Sequence, residues 1–451
     1  MRARVVLAGA LACALAGTPA AMAAAAAHHT LRISDSELGG GRGEPNDSSF
    51  TPSVSRDGRY VTFASEASNL VAGDTNHRRD IFVRDTAAGT TKRVSLSSRG
   101  KQANLDSYNP SISDDGRYVV FDSFATNLVP GDLNREGDVF LRDLTDGTTT
   151  RVSRGLDGKE TGASSGFATI SGDGQVIAFE SSASNLRAGK PGEVTDIYLV
   201  DRTGAVLDWV SRSAAGGEPN GGSGDIALSR DGQMVAFASA ASNLVPGDTN
   251  LADDVFVRDR RARITHRVSV NSIGGEANDD SGAPSLSDDG RVVAFTSNAS
   301  TLASFMPGTQ SLPQFIFNRF NMGDENFVSD VFVHDLVSGH TELVSVSTDG
   351  VQGVAESYEA SISGDGTKVA FASFSSALVP GDLSPGSEIF LRDLTIRQTS
   401  RVSVAEDDRQ GNGMSVQPAI SADGRGVAFT SESTNLVPGD RNRSGDVFVR
   451  N

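Results

Sequence analysis

Thiol chemistry is all but missing from this chain. Its one cysteine, Cys13, lies near the N-terminus, which leaves the rest without a disulfide framework or a cysteine-based metal or catalytic site. Histidine is scarce too. His28 and His29 are followed only by His77, His266, His334 and His340, and no two of these have the spacing of a metal site or an acid–base dyad. Positive charge is short: 40 lysines and arginines face 57 acids, for a net charge of −17. That balance argues against nucleic-acid binding, which needs cations to displace counterions from phosphates, and suits solubility, cations or basic partners. No segment holds a sustained 3.6-residue apolar period, so helix content should be very low. No apolar run reaches the roughly 20 residues that a membrane-spanning helix needs.

The start of the chain, "MRARVVLAGALACALAGTPAAMAAAAAHHT", is built differently. Arg2 and Arg4 precede an apolar run over residues 5–17, and Ala21-Met22-Ala23 offers small residues for cleavage. Residues 1–27 therefore read as a secretory signal peptide, cleaved near 23–27, and the mature protein is expected outside the cell.

What is abundant is repetition. The dipeptide Asp-Gly recurs with Asp57, Asp115, Asp173, Asp231, Asp289, Asp365 and Asp423, at intervals of 58 residues except for one of 76. A phenylalanine follows each aspartate by six residues (Phe63, Phe121, Phe179, Phe237, Phe295, Phe371, Phe429), and a serine leads each by eight (Ser49, Ser107, Ser165, Ser223, Ser281, Ser357, Ser415). In the second unit, "PSIS" and the turn "DDGR" precede the β-branched and aromatic "YVVFDS". A long loop then leads to "DVFLRD", a turn and "TRVS". Four short strands cannot bury both faces alone, so radial stacking of the units is expected.

The fold expected is all-β: a seven-bladed β-propeller of four-stranded antiparallel blades, one domain over 30–451. The seventh unit stops after its third strand, and "TLRIS" (30–34) matches the fourth-strand pattern, so the N-terminal segment should complete the last blade. The blade starts "SRDGRYVTF", "SDDGRYVVF" and "SADGRGVAF", with "DIFVRD" or "DVFVRD" after them, resemble TolB-like, WD-repeat-like propeller repeats of exported bacterial proteins. TolB itself has six blades and a separate N-terminal domain, so the resemblance implies fold rather than function.

Six units carry an acidic loop ahead of the third strand: Asp74/Asn76/Asp80, Asp132/Asn134/Asp138, Asp248/Asn250/Asp254, Asp324/Asn326/Asp330, Asp382/Ser384/Glu388 and Asp440/Asn442/Asp446. The third unit instead has Lys190 where the first aspartate belongs. One reading is calcium, whose oxygen ligands such alternating side chains would supply; the loop looks like a shortened integrin-type FG-GAP calcium loop. The other is a set of Asx turns, with the last acid pinning the loop to its strand; this reading accepts Lys190 without strain and is preferred.

A nucleophile-elbow string occurs as "GASSG" (162–166), without the strand–turn–helix context that would give it meaning. The strongest departure from the repeat is an insertion of 18 residues in the fifth unit (about 302–321). Phe305, Met306, Phe315, Phe317, Arg319 and Phe320 in and beside it are candidates for gripping a protein, peptide or glycan ligand. The equal alternative is that the insert buries its own rings. Trp209 replaces the usual arginine of the fourth strand in the third unit and is expected to pack sideways. The functional expectation is a secreted, monomeric, non-enzymatic binding or scaffold propeller. The alternative is a calcium-dependent propeller lyase or lactonase acting on a polysaccharide or small lactone.

Overall fold

A computed structural model describes residues 29–38, 43–190, 194–302 and 326–451. Each unit forms one four-stranded antiparallel sheet, and there are seven. In blade one the strands run Ser49–Val54, Tyr60–Ser65, Asp80–Asp85 and Thr90–Arg93. Blades two to six repeat this from Ser107, Ser165, Ser223, Ser281 and Ser357. Blade seven takes Ser415–Ile420, Val427–Ser431 and Asp446–Arg450 from the C-terminus and Thr30–Arg32 from the N-terminus. No helix among the described residues is long and apolar enough to cross a membrane.

The recurrent residues do structural work. The phenylalanine after each turn faces an aromatic ring of the third strand, as in Phe63–Phe82 (5.8 Å between centroids), Phe237–Phe256 (5.7 Å) and Phe179–Tyr198 (6.1 Å). The rings belong to apolar clusters that join consecutive blades, so the core lies between sheets. The serine opening each blade bonds the last serine of the second strand, as in Ser49–Ser65 (2.8 Å) and Ser415–Ser431 (2.8 Å). The turn aspartate accepts from its own serine and from the backbone two residues on, as at Ser113, Asp115 and Arg117.

Ring closure is as expected from the sequence. Thr30 pairs with Arg450, Leu31 with Val449 and Arg32 with Phe448. Ile33 N–H donates to Val447 O (2.7 Å), Ser34 Oγ to Asp446 (2.6 Å), and Thr30 Oγ1 to Val404 O of blade six (2.7 Å).

A second closure runs around the channel at the Asp-Gly turn end. Backbone N–H groups of Arg56, Asp114, Asp173, Arg230, Asp288, Gly364 and Asp423 donate to carbonyls of the next blade, the last returning to Arg56 O. Above this belt Arg56 reaches across the ring to Asp288 (2.5 Å) and to Asp114 (3.3 Å), and Arg230 reaches Asp114 (2.7 Å). Deleting residues 30–34 should lower the melting temperature and give concentration-dependent association, read by thermal melts and light scattering, because the third strand of blade seven would become an open edge. An unchanged monomer and melt would show that this pairing is dispensable.

Candidate functional site

Most candidate ligands lie in the acidic loops. Asp74 and Asp80 converge on Arg93 of the fourth strand, at 3.0 and 3.5 Å. Asp132 and Asp138 meet Arg151 (3.7 and 3.2 Å), Asp248 and Asp254 meet Arg267 (3.3 Å each), and Asp382 and Glu388 meet Arg401 (3.2 and 2.8 Å). In blade seven the cation is Arg32 of the closing strand, 3.7 Å from Asp446; Asp440 is buried beside it and feels its charge. The asparagines close the turns: Asn76 donates to Asp80 (2.8 Å) and to Ala103 O (3.0 Å), and Asn250 and Asn326 do the same in their blades. Asn134 and Asn442 also donate to loop carbonyls.

Blade three exchanges both partners. Lys190 stands in the loop where the others have aspartate and puts its ammonium 3.0 Å from Asp196. Trp209 stands where five of the other six blades have arginine, half-buried, with Arg187 stacked 3.8 Å from its ring centroid. Blade five has Leu343 in the arginine position, and there Asp330 accepts from Gln352 (2.9 Å) and Asn326. A guanidinium held by two acids fills the place a calcium ion would take, and a cation cannot share it. In the arginine-bearing blades the donor set does not fit calcium, and the turn-and-ion-pair arrangement stands in its place. Among the described residues no cluster of three metal-ligating side chains occurs.

The remaining candidates are placed as follows. Phe305, Met306, Phe315, Phe317, Arg319, Phe320 and Asp324 lie outside the described residues. Ser165 of the "GASSG" string is buried and bonded to Ser181 (2.9 Å) like every other blade-opening serine, so it is no nucleophile.

The site that sequence reasoning missed lies at the other end of the channel. The third residue of every first strand has a left-handed backbone without being glycine: Thr51, Asn109, Phe167, Asp225, Ala283, Glu359 and Gln417, with φ between 47° and 56°. The strand pairing slips at each of these positions, which marks a β-bulge. A bulge turns an N–H away from its ladder, and that N–H needs another acceptor. At five of the seven bulges a side chain of the preceding blade supplies one. Thr51 donates to Gln417 (2.9 Å), Phe167 to Asp122 (2.7 Å), Asp225 to Glu180 (2.9 Å), Ala283 to Asp225 (3.1 Å) and Gln417 to Glu359 (2.6 Å).

Asp122 and Glu180 break the repeat, standing where the other blades have Ala64, Ala238, Thr296, Ala372 and Thr430. Glycine makes room for them. A Cβ on Gly166 would come 3.3 Å from Asp122 Oδ2, and one on Gly224 would come 2.9 Å from Glu180 Oε1. The same position carries Phe50, Tyr108, Tyr358 and Val416 in four blades and a third glycine, Gly282, in blade five. Between blades two and three these changes open a cavity of about 410 Å³, lined by Tyr108, Phe124, Phe167, Asp122, Glu180 and the serine-rich 164–165 and 181–182 backbone. Phe167 is 64% exposed and Phe124 is 44% exposed, with Tyr108 edge-on to Phe124 at 6.2 Å.

Burial pushes Asp122 up to about 7, against the opposing bonds from Asn109, Phe167 and Ala168. Burial likewise raises Glu180 to about 7, opposed by the Asp225 N–H and aided by repulsion from Asp225 and Asp122. Glu359 is raised by burial as well.

A ring of seven four-stranded sheets joined through its terminal strands defines the class: a closed seven-bladed β-propeller, with a candidate site at one end of its channel. Among solved structures the chain is similar to the β-propeller domain of the Trilobed protease from Pyrococcus furiosus, at 13% identity and TM-score 0.51, over 90% of this chain and 93% of that one. That domain is described as having an open velcro topology, whereas here the terminal strands pair. The acylaminoacyl peptidase of Pyrococcus horikoshii is similar at 10% identity and TM-score 0.50, over 90% of this chain and 51% of that one. Putative TolB from Agrobacterium tumefaciens is similar at 15% identity and TM-score 0.42, over 82% and 97% of the two chains. No family model and no curated protein sequence matches the chain.

Two outcomes follow from the charges. Arg93→Ala leaves Asp74 and Asp80 buried without their cation and should cost about 3–5 kcal/mol in denaturant unfolding, while calcium or chelator should leave the wild-type melt unchanged. Between about pH 4 and 7 the folded state holds protons on Asp122 and Glu180 that the unfolded chain has released, so their contribution to stability falls as pH rises through that window. The Asp122→Asn/Glu180→Gln variant should therefore gain stability over wild type from pH 5 to pH 8, on the order of 1 kcal/mol or more in chemical unfolding. An equal difference at both ends would show that the two carboxyls titrate as they do in the unfolded chain.

Proposed function

We propose that the protein is an exported binding propeller whose ligand enters at the loop end of the channel, beside blades two and three. The observation that carries this is the placing of the departures from seven-fold repetition. Asp122, Glu180, Gly166 and the exposed Phe124 and Phe167 all meet at one cavity. Residues that hold blades together recur in each, and residues that serve a ligand need occur only once. The opposite end of the channel is crossed by the Arg56–Asp288 pair, which favours approach from one side. Half-exposed aromatic side chains beside hydrogen-bonding backbone are the usual means of holding a peptide or glycan.

The test is an array of glycans and peptides read with wild type, Phe167→Ala and Val337→Ser, the last changing an exposed residue at the far turn end. Binding weakened tenfold or more only by Phe167→Ala supports the site. Binding indifferent to Phe167→Ala, or none at all, removes it. A carboxyl-driven enzyme is the second reading, favoured by the position of Asp122 and Glu180 in the range useful for proton transfer at neutral pH. Release of product from an arrayed saccharide, abolished by Asp122→Asn, would establish it over simple binding.

Export rests on the N-terminal charge and hydropathy pattern, and Thr30 opens the closing strand just after that segment. Mass spectrometry of protein recovered from the medium should find an N-terminus between residues 24 and 28, and a retained Met1 would count against export.

A further inference from the structure

Among the described residues the pairing of charges singles out the same cavity for a second reason. Most buried acids that open a third strand are matched by cations. Six of the seven residues that open a third strand (Asp80, Asp138, Asp196, Asp254, Glu388, Asp446) have an arginine or lysine within 4.0 Å. When blade three loses its arginine, Lys190 replaces it. Of the six acids at the strand-three ends, Asp85, Asp143 and Asp335 are held by Arg59, Arg117 and Arg291, while Asp201, Asp259 and Asp393 rely on turn donors such as the N–H groups of Thr203, Ala262 and Thr395. Those at the turn end of the channel, Asp114 and Asp288, are held by Arg56 and Arg230.

The channel-mouth acids depart from this habit. Asp122, Glu180, Asp225 and Glu359 have no lysine, arginine or histidine within 4.0 Å among the described residues, and none lines the cavity. The nearest guanidinium on its aromatic wall, Arg79 over the Tyr108 ring at 4.7 Å, is committed to Glu66 at 2.6 Å. The rings of Phe124, Phe167 and Tyr108 stand beside the carboxyls, and an aromatic wall next to carboxylates is the environment in which a desolvated ammonium or guanidinium is best held.

Resting on the binding reading above, we propose that this cavity takes the lysine or arginine side chain of a basic peptide segment, with Asp122 and Glu180 as counter-charges and Phe167 and Phe124 as the cage around the stem. About 410 Å³ holds one such side chain with part of its backbone. The net charge of −17 draws a basic partner toward the surface from a distance, and the cavity selects the side chain that enters. The ligand cation supplies what the fold supplies to its other buried acids. Both carboxyls must ionise to receive it; Glu180 is repelled by Asp225 and Asp122, Asp122 accepts from the Asn109 amide, and the Tyr108 phenol lines the same cavity. Affinity should therefore rise with pH, by about tenfold per unit below 7 for each carboxyl that must lose its proton.

The test uses the full chain and a fluorescent peptide alternating lysine and serine, read by anisotropy at pH 6 and 8, beside glutamate–serine and glycine–serine peptides of equal length. Expected is binding of the lysine peptide alone, stronger at pH 8 than at pH 6. Asp122→Asn/Glu180→Gln should weaken it at least tenfold, whereas Glu406→Gln, which removes an exposed acid elsewhere, should leave it unchanged. Phe124→Ala/Phe167→Ala, a change of two partly exposed side chains, should weaken it as well and serves if the carboxyl variant does not fold. Equal loss in Glu406→Gln would show diffuse attraction and overturn the proposal, as would binding indifferent to Asp122 and Glu180. Spermidine bound in place of the peptide would overturn the peptide assignment. Phe167-dependent binding of a neutral glycan without lysine-peptide binding would overturn the cation while leaving the binding function standing.

Discussion

Everything in this molecule depends on the pairing of Thr30–Arg32 with Asp446–Arg450. Seven sheets stacked around an axis have no free edge only if the last is joined to the first, and here the join is made by chain ends more than 400 residues apart in sequence. The three backbone pairs are reinforced by side chains doing what their counterparts do in every other blade. Arg32 serves Asp446 as Arg93 serves Asp80, and Ser34 serves Asp446 as Ser95 serves Asp80. The N-terminal strand is therefore a complete fourth strand borrowed from the other end of the chain, and the backbone belt through Arg56, Asp114 and Asp288 meets no gap on its way round.

A second constraint is the treatment of buried charge. A carboxylate beside the core costs several kcal/mol unless a cation or a set of donors accompanies it. Repetition keeps that pairing in six of the seven strand-opening acids, and in blade five Asp330 is met by the amides of Gln352 and Asn326 instead. Blade three shows how strongly the pairing is kept: the cation moves from the strand to the loop as Lys190, and Trp209 fills the vacated position with Arg187 stacked upon it. At the channel mouth the acids receive neutral N–H donors, from bulge backbones of the neighbouring blade and, for Asp122, from the Asn109 amide, and burial lifts their protonation toward neutrality. The same bulges that seat the seven first strands around the axis thus orient the groups on which the proposed recognition rests.

Much of the architecture was legible in the residues because repetition removes ambiguity. One unit of 58 residues is weak support for four strands, but seven aligned copies make the serine, Asp-Gly and phenylalanine positions unmistakable, and the missing fourth strand of the last copy points to the N-terminus. The acidic loops were legible as turns and ambiguous as metal sites, since Arg93 lies beyond a whole strand and a turn from Asp74 and nothing in the spacing says that they meet. The channel acids left a trace that was passed over: "YVVFDS" and "VIAFES" carry an acid where "YVTFAS" and "MVAFAS" carry alanine. A charged residue in a position otherwise held by small ones was the available signal.

The sequence alone determined the strand count per blade, the number of blades and the closing partner, because local turn chemistry and the period of the repeat dictate them. Only the tertiary structure decided which acids receive a cation. That choice depends on which side chains the ring brings face to face across blades, as Asp122 meets Phe167 and Arg56 meets Asp288, and such distances are a property of the closed circle rather than of any segment within it.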